Sequence, residues 1–229
     1  MADLFSSFIT VGNFNNSNAS KTSGFEIFAV SLYESKVKSS AIEYSASIQK
    51  IGGAGYVWQD GETFYVFASA YGQENDANKV LESLKNSGYT PSVVKLSFEK
   101  ISLQKTYTND EISVLNSALN IFKNTYDALY DISVSLDTNV FSQTQARLEI
   151  ANLQSDITKI KGDFEALFNA KLTTTLLKLK LSLNSVNTLV SQLIDFNETE
   201  NQTFSSKIKY NYLETLSLQQ TLHSNAPNI

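Results

Sequence analysis

The chain has 229 residues, of which 42% are hydrophobic and 18% charged, which is the composition of an ordinary globular protein with a sizeable core. Its net charge of -5 and its single arginine, Arg147, argue against a protein that grips nucleic acid or anionic lipid. The chain has no cysteine, which excludes disulfides and thiolate catalysis, and its one histidine, His223, lies near the C-terminus, where we expect a solvated side chain.

The first 23 residues read as a flexible linker, because residues 12–24 (GNFNNSNASKTSG) are rich in Asn, Ser and Gly. Residues 4–11 are apolar but far shorter than the roughly 20 residues that a spanning helix needs. They also lack the basic start of a signal peptide. Two interpretations remain open: an ordinary disordered N-terminus, or a chain that follows a missing membrane anchor.

The next region contains an internal repeat at an offset of 39 residues, since residues 25–32 (FEIFAVSL) reappear as residues 64–71 (FYVFASAY). Each copy predicts a strand followed by a helix, over residues 35–51 and 75–86. Residues 56–58 and 63–71 flank an Asp60-Gly61 hairpin turn, Gly88 ends the second helix, and residues 92–98 form the last strand. The order β-α-β-β-α-β predicts a four-stranded, mainly antiparallel sheet with both helices on one face.

From residue 109 onward, apolar residues recur at steps of three and four, which predicts long amphipathic helices. We expect breaks at residues 137–139, near Asn169, and at 197–199, with a shorter last helix over residues 200–222. The fold class is therefore α+β, with an antiparallel helical bundle after the sheet. The predicted boundaries are 1–23 for the linker, 24–105 for the sheet domain, 106–223 for the bundle and 224–229 for a tail.

The repeat and the element order over residues 24–100 resemble the SPOR (sporulation-related repeat) domain of bacterial division and sporulation proteins. That family's first strand reads approximately aromatic-x-Val-Gln-x-Gly-Ser-Phe, and residues 25–32 and 64–71 occupy the matching positions. The family's Gln position holds Phe28 and its Ser position holds Ser31, while its glycine positions hold Val30 and Ser69. The resemblance implies binding of peptidoglycan glycan strands that lack stem peptides, across the open face of the sheet.

Strand alternation predicts which side chains share that face. If Phe25, Ile27, Ala29, Phe64, Val66 and Ala68 face the two helices, the opposite face carries Glu26, Phe28, Val30, Tyr65, Phe67 and Ser69. With Ser31, which the resemblance adds, the candidate glycan-binding residues are Phe28, Val30, Ser31, Tyr65, Phe67 and Ser69. Exposed aromatic side chains on an open sheet normally mark an interaction surface. We favour an open binding surface, and the alternative is that the bundle packs over the face.

The leading hypothesis is a non-enzymatic cell-envelope protein, extracytoplasmic and membrane-anchored, whose partner is peptidoglycan glycan or an envelope protein. The alternative is a protein-interaction scaffold whose SPOR-like sheet binds a protein partner or its own bundle. We expect no cofactor, no metal and no nucleic acid, and the sequence leaves the oligomeric state open. An RNA recognition motif is disfavoured because the chain is acidic and residues 63–71 lack the expected basic residue and glycines. A glycoside hydrolase is disfavoured because Glu26 is the only acid on the predicted face.

Overall fold

The computed structural model describes residues 24–103 and 107–225, so the predicted linker at 1–23 and residues 226–229 of the predicted tail lie outside the described residues. Four strands form one sheet in the order β2-β3-β1-β4, and every neighbouring pair is antiparallel. The predicted α+β class is confirmed. In chain order the strands and helices are β1 (Phe25–Ser35), α1 (Lys38–Lys50), β2 (Tyr56–Asp60), β3 (Thr63–Tyr71), α2 (Glu74–Asn86), β4 (Ser92–Phe98), α3 (Asn109–Asp137), α4 (Gln143–Phe168), α5 (Thr174–Ile194) and α6 (Phe204–Asn225).

The turns of the sheet domain follow the glycine signals of the sequence. Gly61 has a φ of 55° between β2 and β3, and such a positive φ is what a tight hairpin requires. Gly88 has a φ of 87° just after α2, where the N–H of Tyr89 donates to the Leu84 carbonyl at 3.1 Å. This hydrogen bond satisfies a helix-terminal carbonyl and ends α2 where the sequence predicted.

Two β-bulges interrupt the pairing of β1 with β3. Val30 pairs with Ser69 but Ser31 pairs with Phe67, which leaves Ala68 as an extra residue on β3. Tyr33 pairs with Val66, which leaves Leu32 as an extra residue on β1. Each bulge shifts the alternation of side chains between the two faces by one residue.

The helices of the bundle begin at well-formed N-caps. Thr108 and Glu111 form a capping box at α3, Ser142 and Gln145 form another at α4, and Thr173 caps α5. The predicted break near Asn169 is confirmed, because α4 ends at Phe168 and a single 3₁₀ turn covers Asn169–Lys171 before α5.

Arg147 holds the C-terminal end of α5. Its guanidinium donates to the backbone carbonyl of Leu193 at 3.1 Å and to those of Ile194 and Phe196, and it stacks 4.4 Å from the ring centroid of Phe204. These carbonyls lie at the C-terminal end of α5 and just beyond it, so the cation compensates the negative end of the helix dipole. The single arginine of the chain therefore has a structural role.

Two hydrophobic cores lie on the two sides of the sheet. The smaller core joins the sheet to α1 and α2 through side chains such as Val66, Ala41 and Val80. The larger core is continuous from the other side of the sheet, through Ile27 and Phe67, into the whole bundle. The sheet is therefore the middle layer of three, with α1 and α2 on one side and the bundle on the other.

Candidate functional site

The bundle covers the predicted binding face of the sheet, so our expectation of an open surface is wrong. Phe67 is fully buried, and its ring lies 5.8 Å from that of Trp58 and 6.0 Å from that of Tyr65. Tyr65 is half-buried and packs against the same core. These aromatic side chains are contacts between sheet and bundle, as the alternative interpretation predicted.

The five candidate residues that alternation placed on one face do not share it, which corrects a second expectation. Phe28 and Val30 pack with α1 and α2, whereas Tyr65 and Phe67 pack with the bundle. Ser69 is buried in the pair that it forms with Val30. Ser31 is also buried, and its hydroxyl donates to the Tyr33 carbonyl at 2.8 Å.

The bulges explain the error. Ala68 is an extra residue in the second copy of the repeat, and Ala29, at the corresponding position of the first copy, is regularly paired. Corresponding residues of the two copies that precede Ala29 and Ala68 therefore face opposite sides of the sheet. The predicted helix-facing set is right for Phe64, Val66 and Ala68 and wrong for Phe25, Ile27 and Ala29, which pack with the bundle.

Two tyrosines of the bundle bind the backbone of the same sheet residue, Ala70. The Tyr126 hydroxyl on α3 donates to the Ala70 carbonyl at 3.2 Å, and the Ala70 N–H donates to the Tyr212 hydroxyl on α6 at 3.2 Å. Burial raises the pKa of both phenols well above the ordinary value, so both hydroxyls stay protonated at neutral pH. These bonds fix α3 and α6 on β3.

A second polar contact joins α6 to the loop between α1 and β2. The Ser206 hydroxyl donates to the Gly53 carbonyl at 2.7 Å, and the Lys209 ammonium donates to the Gly52 carbonyl at 3.0 Å. Lys209 also forms an ion pair with Asp137 of α3 at 2.6 Å, with side chains 3% and 1% exposed. A buried pair of this kind needs such added hydrogen bonds to offset the loss of hydration.

A groove of about 730 Å³ lies between α5 and α6, and Gln49 of α1 also lines it. It is lined by polar and apolar groups in similar amounts, and its amides and hydroxyls include Asn184, Gln192 and Thr188. We refer to it as the α5/α6 groove. The α5 side is tied to α6 by the Asn211 side-chain amide, which donates to the Leu189 carbonyl at 2.7 Å.

Three residues of α6 give the groove its charge and its aromatic surface: Lys207, Tyr210 and Glu214. They are spaced by three and four residues, so they lie on one face of the helix. The Lys207 ammonium lies 5.0 Å from the centroid of the Tyr210 ring, and Tyr56 of β2 contacts the same ring edge-to-face at 5.0 Å.

Partial burial shifts the pKa of every titratable group on this face. Loss of hydration lowers the pKa of Lys207 and raises the pKa of Glu214, while the opposite charge of each moderates the shift of the other. Burial also raises the pKa of Tyr210, and it raises that of Tyr56 to about 12 despite a hydrogen bond from Ser217. Clusters of perturbed groups in a cleft are typical of functional sites.

The sequence interpretation missed this groove. The sequence analysis placed a last helix over residues 200–222 and assigned no functional role to its polar residues. The available signal was the Lys207, Tyr210 and Glu214 spacing, which places a ring between opposite charges on one helix face.

Comparisons with protein-family models, with curated proteins and with solved structures found no match. The SPOR resemblance therefore rests on the quoted residues of the first hundred positions and stays a prediction. Among the described residues, no cluster of three or more His, Asp or Glu side chains is placed to hold a metal ion. None of the helices described in residues 24–103 and 107–225 is both long and apolar enough to cross a membrane.

Proposed function

We propose that this protein is a non-enzymatic interaction protein in which the SPOR-like sheet serves as the internal support of its own helical bundle. The observation that carries the proposal is the double attachment of Tyr126 and Tyr212 to Ala70, near the end of β3, next to the sheet face that the bundle covers. Specific buried hydrogen bonds of this kind commit the sheet to packing with its own bundle.

The outer faces of α4 and α5 are the surfaces on which we expect a partner. Several leucines on these helices are exposed although the same helices bury a full apolar stripe on their inner side. Leu177 and Leu181 are four residues apart and 44% and 56% exposed, so they form one apolar ridge on α5. Such a ridge suits contact with a partner helix.

Site-directed photo-cross-linking tests this proposal. A photoreactive residue at Leu177 or Leu181 should yield a discrete cross-linked partner in cells, whereas one at Lys85, an exposed position on α2 at the other side of the sheet, should yield none. Replacing both leucines with Gln should remove the partner without lowering the melting temperature, because exposed side chains contribute little to stability. A protein that gives the same adducts at all three positions would contradict the proposal.

A second candidate function is glycan binding in the bacterial envelope, with a membrane anchor and an extracytoplasmic location. It is favoured by the order of the strands and by the two helices on one face, which agree with the architecture that the SPOR resemblance implies. The covered face requires that any glycan bind elsewhere on the chain or displace the bundle.

Retention on purified sacculi separates the two functions. The interaction protein should be retained equally and negligibly on sacculi with and without amidase treatment. Selective retention on amidase-treated sacculi, from which stem peptides are removed, would support the glycan-binding function instead. Repeating the assay with the Leu177→Gln/Leu181→Gln variant shows whether any retention depends on the α5 ridge.

A further inference from the structure

The α5/α6 groove contains two opposite charges that influence each other electrostatically without forming an ion pair. In the described part of the chain, no ion pair within 4 Å joins Lys207 or Glu214 to an opposite charge. Both side chains are nevertheless half-buried, and both have pKa values shifted toward the neutral form by loss of hydration. Unpaired charges in a partly desolvated cleft gain most from a ligand that brings the complementary charges.

The spacing of these charges sets the length of that ligand. Glu214 follows Lys207 by seven positions, which places their Cα atoms about 10 Å apart along the helix axis. An extended peptide covers roughly 3.3–3.6 Å per residue, so about three residues span this distance between a terminal carboxylate and a terminal ammonium. The Tyr210 ring lies between the two charges, where the central side chain of the peptide would pack.

The rest of the lining fits a peptide backbone. Asn184 lines the groove, and its side-chain oxygen Oδ1 is buried without a hydrogen-bond partner among the described residues. The side-chain amides of Asn184, Gln49 and Gln192 can both donate to and accept from a peptide backbone. Leu181 and Leu218 add apolar surface for an aliphatic side chain.

We propose that the α5/α6 groove binds a short zwitterionic peptide of about three residues, with its terminal carboxylate on the Lys207 ammonium and its terminal ammonium on the Glu214 carboxylate. The groove is separate from the contact of Tyr126 and Tyr212 with β3, so this site and the proposed support function of the sheet can fail independently.

Isothermal titration calorimetry of the full chain with Ala-Leu-Ala tests the proposal. The free tripeptide should bind, and blocking either end, by N-acetylation or by C-terminal amidation, should weaken binding by about tenfold or more, as expected for a lost hydrogen bond between charged groups. The peptide with both ends blocked should show no measurable binding.

Two variants assign each end of the peptide to its residue. Lys207→Gln should bind the free and the amidated peptide equally, and Glu214→Gln should bind the free and the acetylated peptide equally, because each variant removes the partner that the blocked group would need. Lys159→Gln and Glu149→Gln change exposed charges on α4 and should leave all affinities unchanged.

Comparing the peptides on the wild-type chain makes the test independent of whether the variants fold. Equal affinity of the wild-type chain for the free and the doubly blocked tripeptide would overturn the proposal. So would the absence of binding at millimolar peptide. Binding of an N-acetylglucosamine trimer that is lost in Asn184→Ala, with no binding of the tripeptide, would assign the groove to a saccharide and overturn it as well.

Discussion

Tyr126 and Tyr212 lie on different helices, contact each other edge-to-face at 5.4 Å, and together take up both backbone polar groups of Ala70. One hydroxyl donates to the carbonyl and the other accepts from the N–H. The pair therefore acts as a clamp, in which the ring contact positions two hydroxyls on the backbone of one residue. The clamp lies inside the core that the sheet and the bundle share.

Removing either hydroxyl should destabilise the chain. Tyr126→Phe leaves the Ala70 carbonyl without its partner, and Tyr212→Phe leaves the N–H without its partner, so each should lower the free energy of unfolding by about 1–3 kcal/mol. Urea denaturation of both variants and of the double variant gives the coupling energy between them. Tyr44 is half-buried on α1, so Tyr44→Phe is the control and should leave the free energy of unfolding nearly unchanged. Wild-type stability of both single variants would contradict the clamp.

Truncation of the covered aromatic side chain should be severe. Phe67→Ala removes a fully buried ring and should lower the free energy of unfolding by about 3–5 kcal/mol. Leu148→Ala, at a side chain 61% exposed on α4, should change it by less than about 0.5 kcal/mol. Thermal melts followed by circular dichroism measure both. A small loss of stability in Phe67→Ala would instead support an open sheet face.

Removing one partner of the buried ion pair should destabilise the fold more than replacing both partners. Lys209→Met leaves the Asp137 carboxylate buried without its cation, and we expect a loss of about 3–5 kcal/mol. The double variant Lys209→Met/Asp137→Leu removes both charges and should recover part of this loss. Chemical denaturation of the two variants decides the matter, and a double variant less stable than the single one would refute this account.

Three glycines provide a matched series. Gly55 has a φ of 61°, and a Cβ there would lie 2.5 Å from the Ser45 carbonyl oxygen, so Gly55→Ala should cost more than the roughly 1–2 kcal/mol of the left-handed backbone alone. Gly61 has a φ of 55°, and a Cβ there would meet no atom within 4 Å, so Gly61→Ala should show only the cost of the left-handed backbone. Gly162→Ala, inside α4 with no close neighbour, should stabilise by about 0.5–1 kcal/mol. Melting temperatures in any other order would contradict the series.

The groove should impose a pH-dependent cost on stability. Burial raises the pKa of Glu214 in the folded state, so the folded chain binds the proton more tightly and loses stability as pH rises from the ordinary glutamate pKa through the raised value. Glu214→Gln should therefore be more stable than wild type at pH 7, and this advantage should vanish at acidic pH, where wild-type Glu214 is protonated. Urea titrations at pH 7 and pH 4 measure it. An advantage that persists unchanged at pH 4 would exclude this linkage.

Local sequence signals predicted the elements well because each depends on nearby residues. The strand at Ser92–Phe98, the glycine stop of α2 and the break at Asn169 each follow from a few adjacent side chains. The faces of β1 and β3 could not be predicted, since they depend on where Leu32 and Ala68 bulge, and a bulge is a property of the paired strands.

The α5/α6 groove was also beyond the sequence signal, for a different reason. Charged residues such as Lys207 and Glu214 on one helix face are typical of solvated surface. The sequence does not show that a second helix packs beside this face. The partial burial of these charges comes from α5 and from Tyr56, which are distant in sequence. Only tertiary packing turns the stripe into a cleft.

The attachment of α6 to the sheet has a consequence for synthesis of the chain on the ribosome. The sheet is complete in sequence at Phe98, but the helix that covers it with Tyr212 ends at Asn225, roughly 130 residues later. At translation rates of about 5–20 residues per second, the nascent sheet waits on the order of ten seconds with Phe67 and its neighbours uncovered. Production of this protein thus depends on protecting an apolar surface that the finished molecule never shows.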